Sequence, residues 1–340
     1  MSPVLFKGIG GHRCRNRRVS LASHADAGIG MFPTAEPLLG LRRMSRHFRP
    51  LHGLHVLSLA LNLPGPAALM RCHAMGATCV KLEPPAGDPM RHYAPPAYEQ
   101  LHAGIKVLQA DLKAPAGRTI LERELAKADV LLTSFRPSAL RKLGLGWKDL
   151  HTRWPSLSQV AIVGAAGAAA EEPGHDLTYL AAHGLVPGTE LPATLYADMS
   201  GSLMAAEAVL QAALRKHERY AGTGETHPEG LYLEVALEDA AQYIALPRAW
   251  GLTQAAGAVG GAHAGYRVYP CRDGRVAVAA LEPHFAAALC EVAGVQATDM
   301  KAMFAPATHA AVAAFLANKT REQLDALASE RDLPLHTMPA

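Results

Sequence analysis

The chain has 340 residues, 49% hydrophobic and 19% charged, which is too apolar for a disordered protein and enough for one large or two medium cores. Its formal charge of +3 comes from the first 50 residues, where eight Arg and Lys7 face only Asp26 and Glu36; the rest is net negative by 4, which argues against a general nucleic-acid-binding surface. Five cysteines with no CxxC pair and no clustering with His argue against a zinc site or a disulfide framework, and no apolar run is long enough to span a bilayer. A soluble, cytoplasmic protein with reduced thiols and no bound metal is expected.

In chain order, residues 1–43 mix Arg, Gly and Ser without a sustained period and read as a disordered extension, with Met31 and Met44 both suited to initiation. Residues 54–61 read as a buried strand, 62–66 as a turn, 67–75 as a helix ended by Gly76, and 78–83 as a second strand closed by Pro84-Pro85. This is a βαβ unit, and such a unit implies a parallel pair with a right-handed crossover. Its turn, Leu63-Pro-Gly-Pro, lacks the GxGxxG of a dinucleotide site. A polar loop (86–102) precedes a strand at 105–112, a helix at 115–127, a buried strand at 129–134, helices at 138–143 and towards Trp154, and a strand at 159–163. Alternation of this kind predicts an α/β fold with a doubly wound parallel sheet.

The segment Pro173-Gly174-His175-Asp176 then leads into a helix over 177–185, at a strand-to-helix corner where α/β proteins place ligands. Asp176 is suited to cap that helix, and His175 beside it is a titratable base at a positive helix end, with backbone N–H groups able to stabilise an anion. Arg136 follows directly on a strand, placed either for an anionic ligand or for a nearby carboxylate. A long helix over 195–219 carries small residues, Gly201, Ala205, Ala208 and Ala212, on one face, and Asp198 near its start either caps it or points into a site. A turn-rich loop (220–230), a strand (231–236) and a Gly-rich mobile linker (257–265) follow. Next come a hairpin over 266–280 turning at Asp273-Gly274, a helix over 284–293 opened by Glu282-Pro283, and a helix over 308–331. By itself Glu282 reads as a helix-dipole partner.

Together these residues resemble the class III CoA-transferase family (CaiB/BaiF type), whose members include α-methylacyl-CoA racemase. Gly53-Leu-His-Val-Leu-Ser-Leu, Met75-Gly-Ala-Thr-Cys-Val-Lys-Leu-Glu, Asp111-Leu-Lys, Gly117-Arg, Phe135-Arg-Pro and Leu143-Gly-Leu-Gly stand in the family's order over about residues 51–338. Gly174-His175-Asp176, Ala197-Asp198 and Leu281-Glu282-Pro283 are most similar to the racemase branch. The resemblance implies a Rossmann-like large domain (51–220), a linker region (221–265) and a smaller α+β domain (266–340) in an interlocked homodimer. It implies His175 and Asp198 as an acid/base pair, Glu282 as the group that orients the histidine, and Asp176 at the helix start. Asp111, Lys113, Arg136, Gly174, Leu177, Thr178 and Tyr179 would then line the acyl-CoA site, with no cofactor beyond the CoA thioester substrate. The expected reaction is inversion at C2 of a 2-methylacyl-CoA; the alternatives are CoA transfer through Asp176 and a CoA-binding relative that has lost activity. The family's aromatic-containing Gly loop is replaced by Gly164-Ala-Ala-Gly-Ala-Ala-Ala, Pro84 stands where racemases carry a CoA-contacting Arg, and the family's C-terminal return to the large domain is not found after Leu333-Pro-Leu.

Overall fold

The structure is a computed structural model that describes residues 48–217, 229–296 and 300–340. The 1–43 extension and nearly all of the 220–230 loop lie outside the described residues. Six strands form one parallel sheet: β1 (His55–Ser58), β2 (Thr78–Glu83), β3 (Lys106–Gln109), β4 (Val130–Thr133), β5 (Ser158–Val163) and β6 (Tyr232–Ala236). Their order is β3-β2-β1-β4-β5-β6, so the chain winds outward from β1 to one edge, returns beside β1, and winds to the other. That reversal between β1 and β4 is the switch point at which doubly wound sheets open a crevice.

Side chains alternate across the strands and build two apolar layers. Val56, Leu132 and Ile162 face the helices α1 (Pro64–Ala74) and α8 (Tyr196–His217), while Leu57 and Leu131 face α4 (Pro115–Leu125), α5 (Pro137–Lys142) and α6 (Trp147–Arg153). On α8 the small residues let its neighbours come close. Ala205, Ala208 and Ala212 share a core with Ala68, Leu69 and Cys72 of α1, and a Cβ on Gly201 would lie 2.4 Å from Leu237 Cδ2.

Leu237 opens α9 (Leu237–Ala249), a helix that the sequence reading misses because Ala236 passes from strand to helix with no turn residue between them. The stretch read as linker (221–265) thus supplies both the sixth strand and a helix packed on α8. The polar loop at 86–102 is corrected to two short helices, α2 (Met90–Tyr93) and α3 (Pro95–Leu101), whose Met90, Tyr98 and Leu101 bury against Ala67. The short helix α7 (Asp176–Ala182) packs on both α8 and α9.

A second, antiparallel sheet is ordered β7 (Tyr266–Cys271), β8 (Gly274–Ala279), β9 (Leu335–Met338). Three helices, α10 (Pro283–Val292), α11 (Pro306–Ala317) and α12 (Arg321–Arg331), share its core through Leu289, Val312 and Leu324. β9 is an addition to the sequence reading. The helix expected over 308–331 divides where the Thr320 hydroxyl accepts the Gln323 N–H, an N-cap that starts α12 afresh. Gly274 serves β9 and not the turn: its φ is not positive, and a Cβ there would lie 2.3 Å from Met338 O. The Gly-rich stretch before β7 is packed, with Ala264 and His263 buried and a Cβ on Gly260 placed 1.8 Å from Gln254 O.

Candidate active site

The C-terminal ends of β1, β4 and β5 deliver Asn62, Ser134 and Gly164 to one side of the sheet. The Leu61 N–H donates to Ser134 Oγ at 3.1 Å, tying the end of β1 to that of β4 across the switch point. From β5 the chain runs through a 3-10 turn (Gly167–Glu171) to α7. Tyr179, on the second turn of α7, folds back so that its hydroxyl sits against the backbone on both sides of the loop. A Cβ on Gly164 or on Gly174 would come within 2.3 Å of that oxygen. The glycines before His175 are therefore needed for space, and they fix α7 against the end of β5.

The capping expectation is corrected in its detail. His175, not Asp176, is the N-cap of α7, extended at φ −145°, ψ 167°; its N–H donates to Thr178 Oγ1 at 3.0 Å, and that hydroxyl donates to His175 O at 2.7 Å. The imidazole itself makes no capping hydrogen bond and is exposed. Asp176 is buried at the first helical position, and its carboxylate satisfies a different helix: Asp198 N–H, in the first turn of α8, donates to Asp176 Oδ1 at 3.0 Å. One aspartate thus pins the start of α8 against the start of α7, and this brings Asp198 to His175.

The electrostatics follow from that crossing. Burial, and then the Asp176 carboxylate, push Asp198 up from its ordinary value to about 6, against a smaller downward pull from His175. Tyr179 is raised by burial first and by the Asp198 charge next, with Arg136 opposing it. Arg136 is exposed at the N-cap of α5 and makes no ion pair among the described residues. Leu177 and Thr178 are exposed on the same helix start.

The remaining predicted residues lie apart from this cluster. Asp111 and Lys113 are exposed beyond the edge strand β3, where Asp111 Oδ1 accepts the Lys113 N–H at 2.9 Å; a Cβ on Gly117 would meet Asp111 O at 1.9 Å, so that motif first of all packs a turn on α4. Glu282 is exposed at the N-cap of α10, and its carboxylate makes no hydrogen bond among the described residues, to His175 or to any other group. Of the three residues that carry the racemase likeness, the single chain brings two together.

Beside the crevice lies a buried polar network that the sequence reading does not contain. Lys81 Nζ, wholly buried, reaches Asp88 Oδ2 at 2.5 Å, His102 Nε2 at 2.9 Å and Glu83 Oε1 at 3.2 Å, so its three protons meet three acceptors. His102 Nδ1 faces Tyr98 O at 2.6 Å and must carry the ring proton, leaving Nε2 to accept from Lys81. Burial, reinforced by the Lys81 charge, holds His102 below its ordinary value. Glu83, Asp88 and His102 offer donors within 4.8 Å of one another, a spacing suited to a metal, but an ammonium already occupies their centre. The signal in the sequence was a Lys and a Glu two apart in an otherwise apolar strand that ends at Pro84-Pro85.

A parallel sheet wound both ways from a switch point, with His175 and a perturbed Asp198 at two helix starts joined through Asp176, defines a doubly wound α/β protein, a class that binds ligands at the switch point. The chain belongs to CoA-transferase family III, which it matches over residues 51–338. It is 37% identical over 150 residues to the cinnamoyl-CoA:phenyllactate CoA-transferase of Clostridium sporogenes, covering 40% of this chain and 36% of that protein. It is 26% identical to the human succinyl-CoA:glutarate CoA-transferase (81% of this chain, 65% of that one) and 28% identical to the mouse α-methylacyl-CoA racemase (76% and 68%). The chain therefore spans about one third to two thirds of the length of these curated relatives. Among solved structures, a hypothetical protein from Mycobacterium tuberculosis superposes with a TM-score of 0.72 at 24% identity, covering 86% of this chain and 84% of that one. A CaiB/BaiF family protein from Brucella suis gives 0.69 at 24%, with the same coverage. At that identity the likeness is one of fold. No helix among the described residues is long and apolar enough to cross a membrane.

Proposed function

We propose that the protein is an acyl-CoA racemase that inverts C2 of a 2-methylacyl-CoA by two-base proton transfer. Inversion requires that a proton leave one face of the carbon and another arrive on the opposite face, so two groups must flank it, one as base and one as acid. Asp198, which burial and then the Asp176 carboxylate raise to about 6, can hold or release a proton near neutral pH, and its placement against the start of α7, where His175 stands, carries the reading. Either group can take the C2 proton while the other, protonated, returns one; the enolate between them collapses to either enantiomer. The exposed Arg136 suits the anionic CoA ester, and no metal or redox cofactor is invoked.

Glu282 enters this reading through a second copy of the chain. The proposed enzyme is a homodimer, supported by an exposed apolar stripe at Tyr196, Met199, Leu203 and Leu214 on α8. The second reading, CoA transfer with Asp176 as nucleophile, is favoured by the transferases among the relatives. Incubating the protein with (2R)-2-methylacyl-CoA in deuterated water, with no carboxylic acid present, tests the proposal. Deuterium entering C2 together with loss of optical purity is expected. CoA exchange that demands a free acid, with C2 unlabelled, would establish the transferase reading in its place.

A further inference from the structure

The polar network at Lys81 is joined to the crevice by one backbone group. Asn62, four residues beyond the end of β1 at Ser58, is one of only two non-glycine residues with positive φ among those described, at 63°. Its N–H donates to both oxygens of Asp88, at 3.2 and 3.1 Å. Asp88 Oδ1 also accepts the Met90 N–H at 2.9 Å, and the Asp88 N–H donates to Glu83 Oε2 at 3.2 Å. Asp88 is wholly buried, and its charge is matched by Lys81. The left-handed region costs a non-glycine residue on the order of 1 kcal/mol, so a turn held there must be overdetermined by its surroundings. Asn62 in turn presents its side-chain oxygen to the hydroxyl of Tyr93 at 3.5 Å, on the exposed lip beside α1. Four elements thus converge on one turn: β2 through Lys81 and Glu83, the loop before α2 through Asp88, β4 through Ser134 on the preceding N–H, and α2 through Tyr93.

We propose that Asp88, charge-matched by Lys81, is a positioning residue for substrate binding: it holds the Asn62 turn in its left-handed shape and so sets the lip of the crevice between β1 and β4. The position of this turn at the switch point is what makes it matter, because a ligand lying across the sheet there must pass it. The network acts through the backbone N–H of Asn62 and touches no reacting atom. This deepens the proposed function, and only the kinetic arm of its test rests on that reading.

Asp88→Asn keeps the shape of the side chain but turns one acceptor oxygen into a donor, facing either the Lys81 ammonium or a backbone N–H. Hydrogen exchange followed by mass spectrometry on the full chain should show the peptide over residues 59–66 exchanging about tenfold faster, the loss of one charge-assisted hydrogen bond, with β5 and β8 unchanged. An unchanged 59–66 peptide overturns the proposal. So does protection lost evenly across the molecule, since that makes Asp88 a determinant of the whole fold. Tyr93→Phe, on the exposed lip, guards against a variant that fails to fold: it removes the hydroxyl that meets Asn62 Oδ1 and leaves the left-handed residue itself unchanged. Slow exchange should persist there because Asp88 holds the backbone and not the side chain; fast exchange would contradict the proposal. In the deuterium wash-in assay, Asp88→Asn should raise KM about tenfold and leave kcat within about twofold, whereas a purely structural loss lowers the active fraction at constant KM. If the unmodified protein shows no wash-in at all, the racemase reading fails while the exchange data still decide the role of Asp88.

Discussion

Two groups of acids lie at and beyond the C-terminal ends of the parallel strands and are held in opposite ways. Glu83 and Asp88 share the buried Lys81 ammonium, and Glu83 also accepts from the Tyr98 hydroxyl and the Asp88 N–H, so a common cation and a set of hydrogen bonds hold the pair. Asp176 and Asp198 lie against each other with no ion-pair partner among the described residues, and burial, with the Asp176 carboxylate next, pushes the second of them up to about 6. The difference is one of partner supply: compensation makes a carboxylate a fixed strut, and its absence leaves one able to trade a proton near neutral pH. Removing a partner should therefore damage the first group as structure and the second as chemistry.

The largest effect belongs to the strut. Lys81→Met leaves two buried carboxylates without a cation and should cost about 3–5 kcal/mol, read as a fall in the denaturant midpoint. A loss under 1 kcal/mol would erase the contrast between the two groups. His175→Ala should leave the denaturant midpoint nearly unchanged, because the imidazole is exposed and unbonded, yet slow C2 exchange by roughly 10²–10⁴-fold. The pH dependence of stability sharpens the comparison further. Because the folded protein holds a proton on Asp198 more tightly than the unfolded chain does, the stability associated with that proton is complete below about pH 4 and is lost as pH rises through about 6. Melting temperatures of Asp198→Asn and the unmodified protein should accordingly agree near pH 4 and diverge, with the variant ahead, by pH 7.5. The smallest change is Tyr179→Phe, which removes a hydroxyl seated against two glycines and should cost only about 1 kcal/mol.

Much of the larger sheet is legible in the sequence because its strands are short apolar runs bounded by Gly and Pro, and the βαβ period repeats. What escapes lacks such punctuation. α9 starts where Ala236 passes into Leu237 without a turn residue, and β9 is a short segment whose pairing with β8 is visible only in three dimensions. In the site, His175, Asp176 and Asp198 are readable as helix-start residues, and their family order pointed to function. That Asp176 caps the other helix is a contact across 22 residues, which spacing alone cannot reveal. The Lys81 network is hidden for the opposite reason: a Lys and a Glu in a strand look like surface residues until β1 and α3 close over them.

The proposed mechanism and its alternative differ in which of the two neighbouring aspartates acts on the substrate. Deuterium wash-in at C2 of a 2-methylacyl-CoA, without an acid acceptor, on Asp198→Asn and Asp176→Asn decides it. Asp198→Asn should fall by at least about 10²-fold, while Asp176→Asn, whose amide oxygen can still accept the Asp198 N–H, should stay within about tenfold of the unmodified protein. Exchange that survives in Asp198→Asn and vanishes in Asp176→Asn would contradict the two-base mechanism and move the chemistry to Asp176.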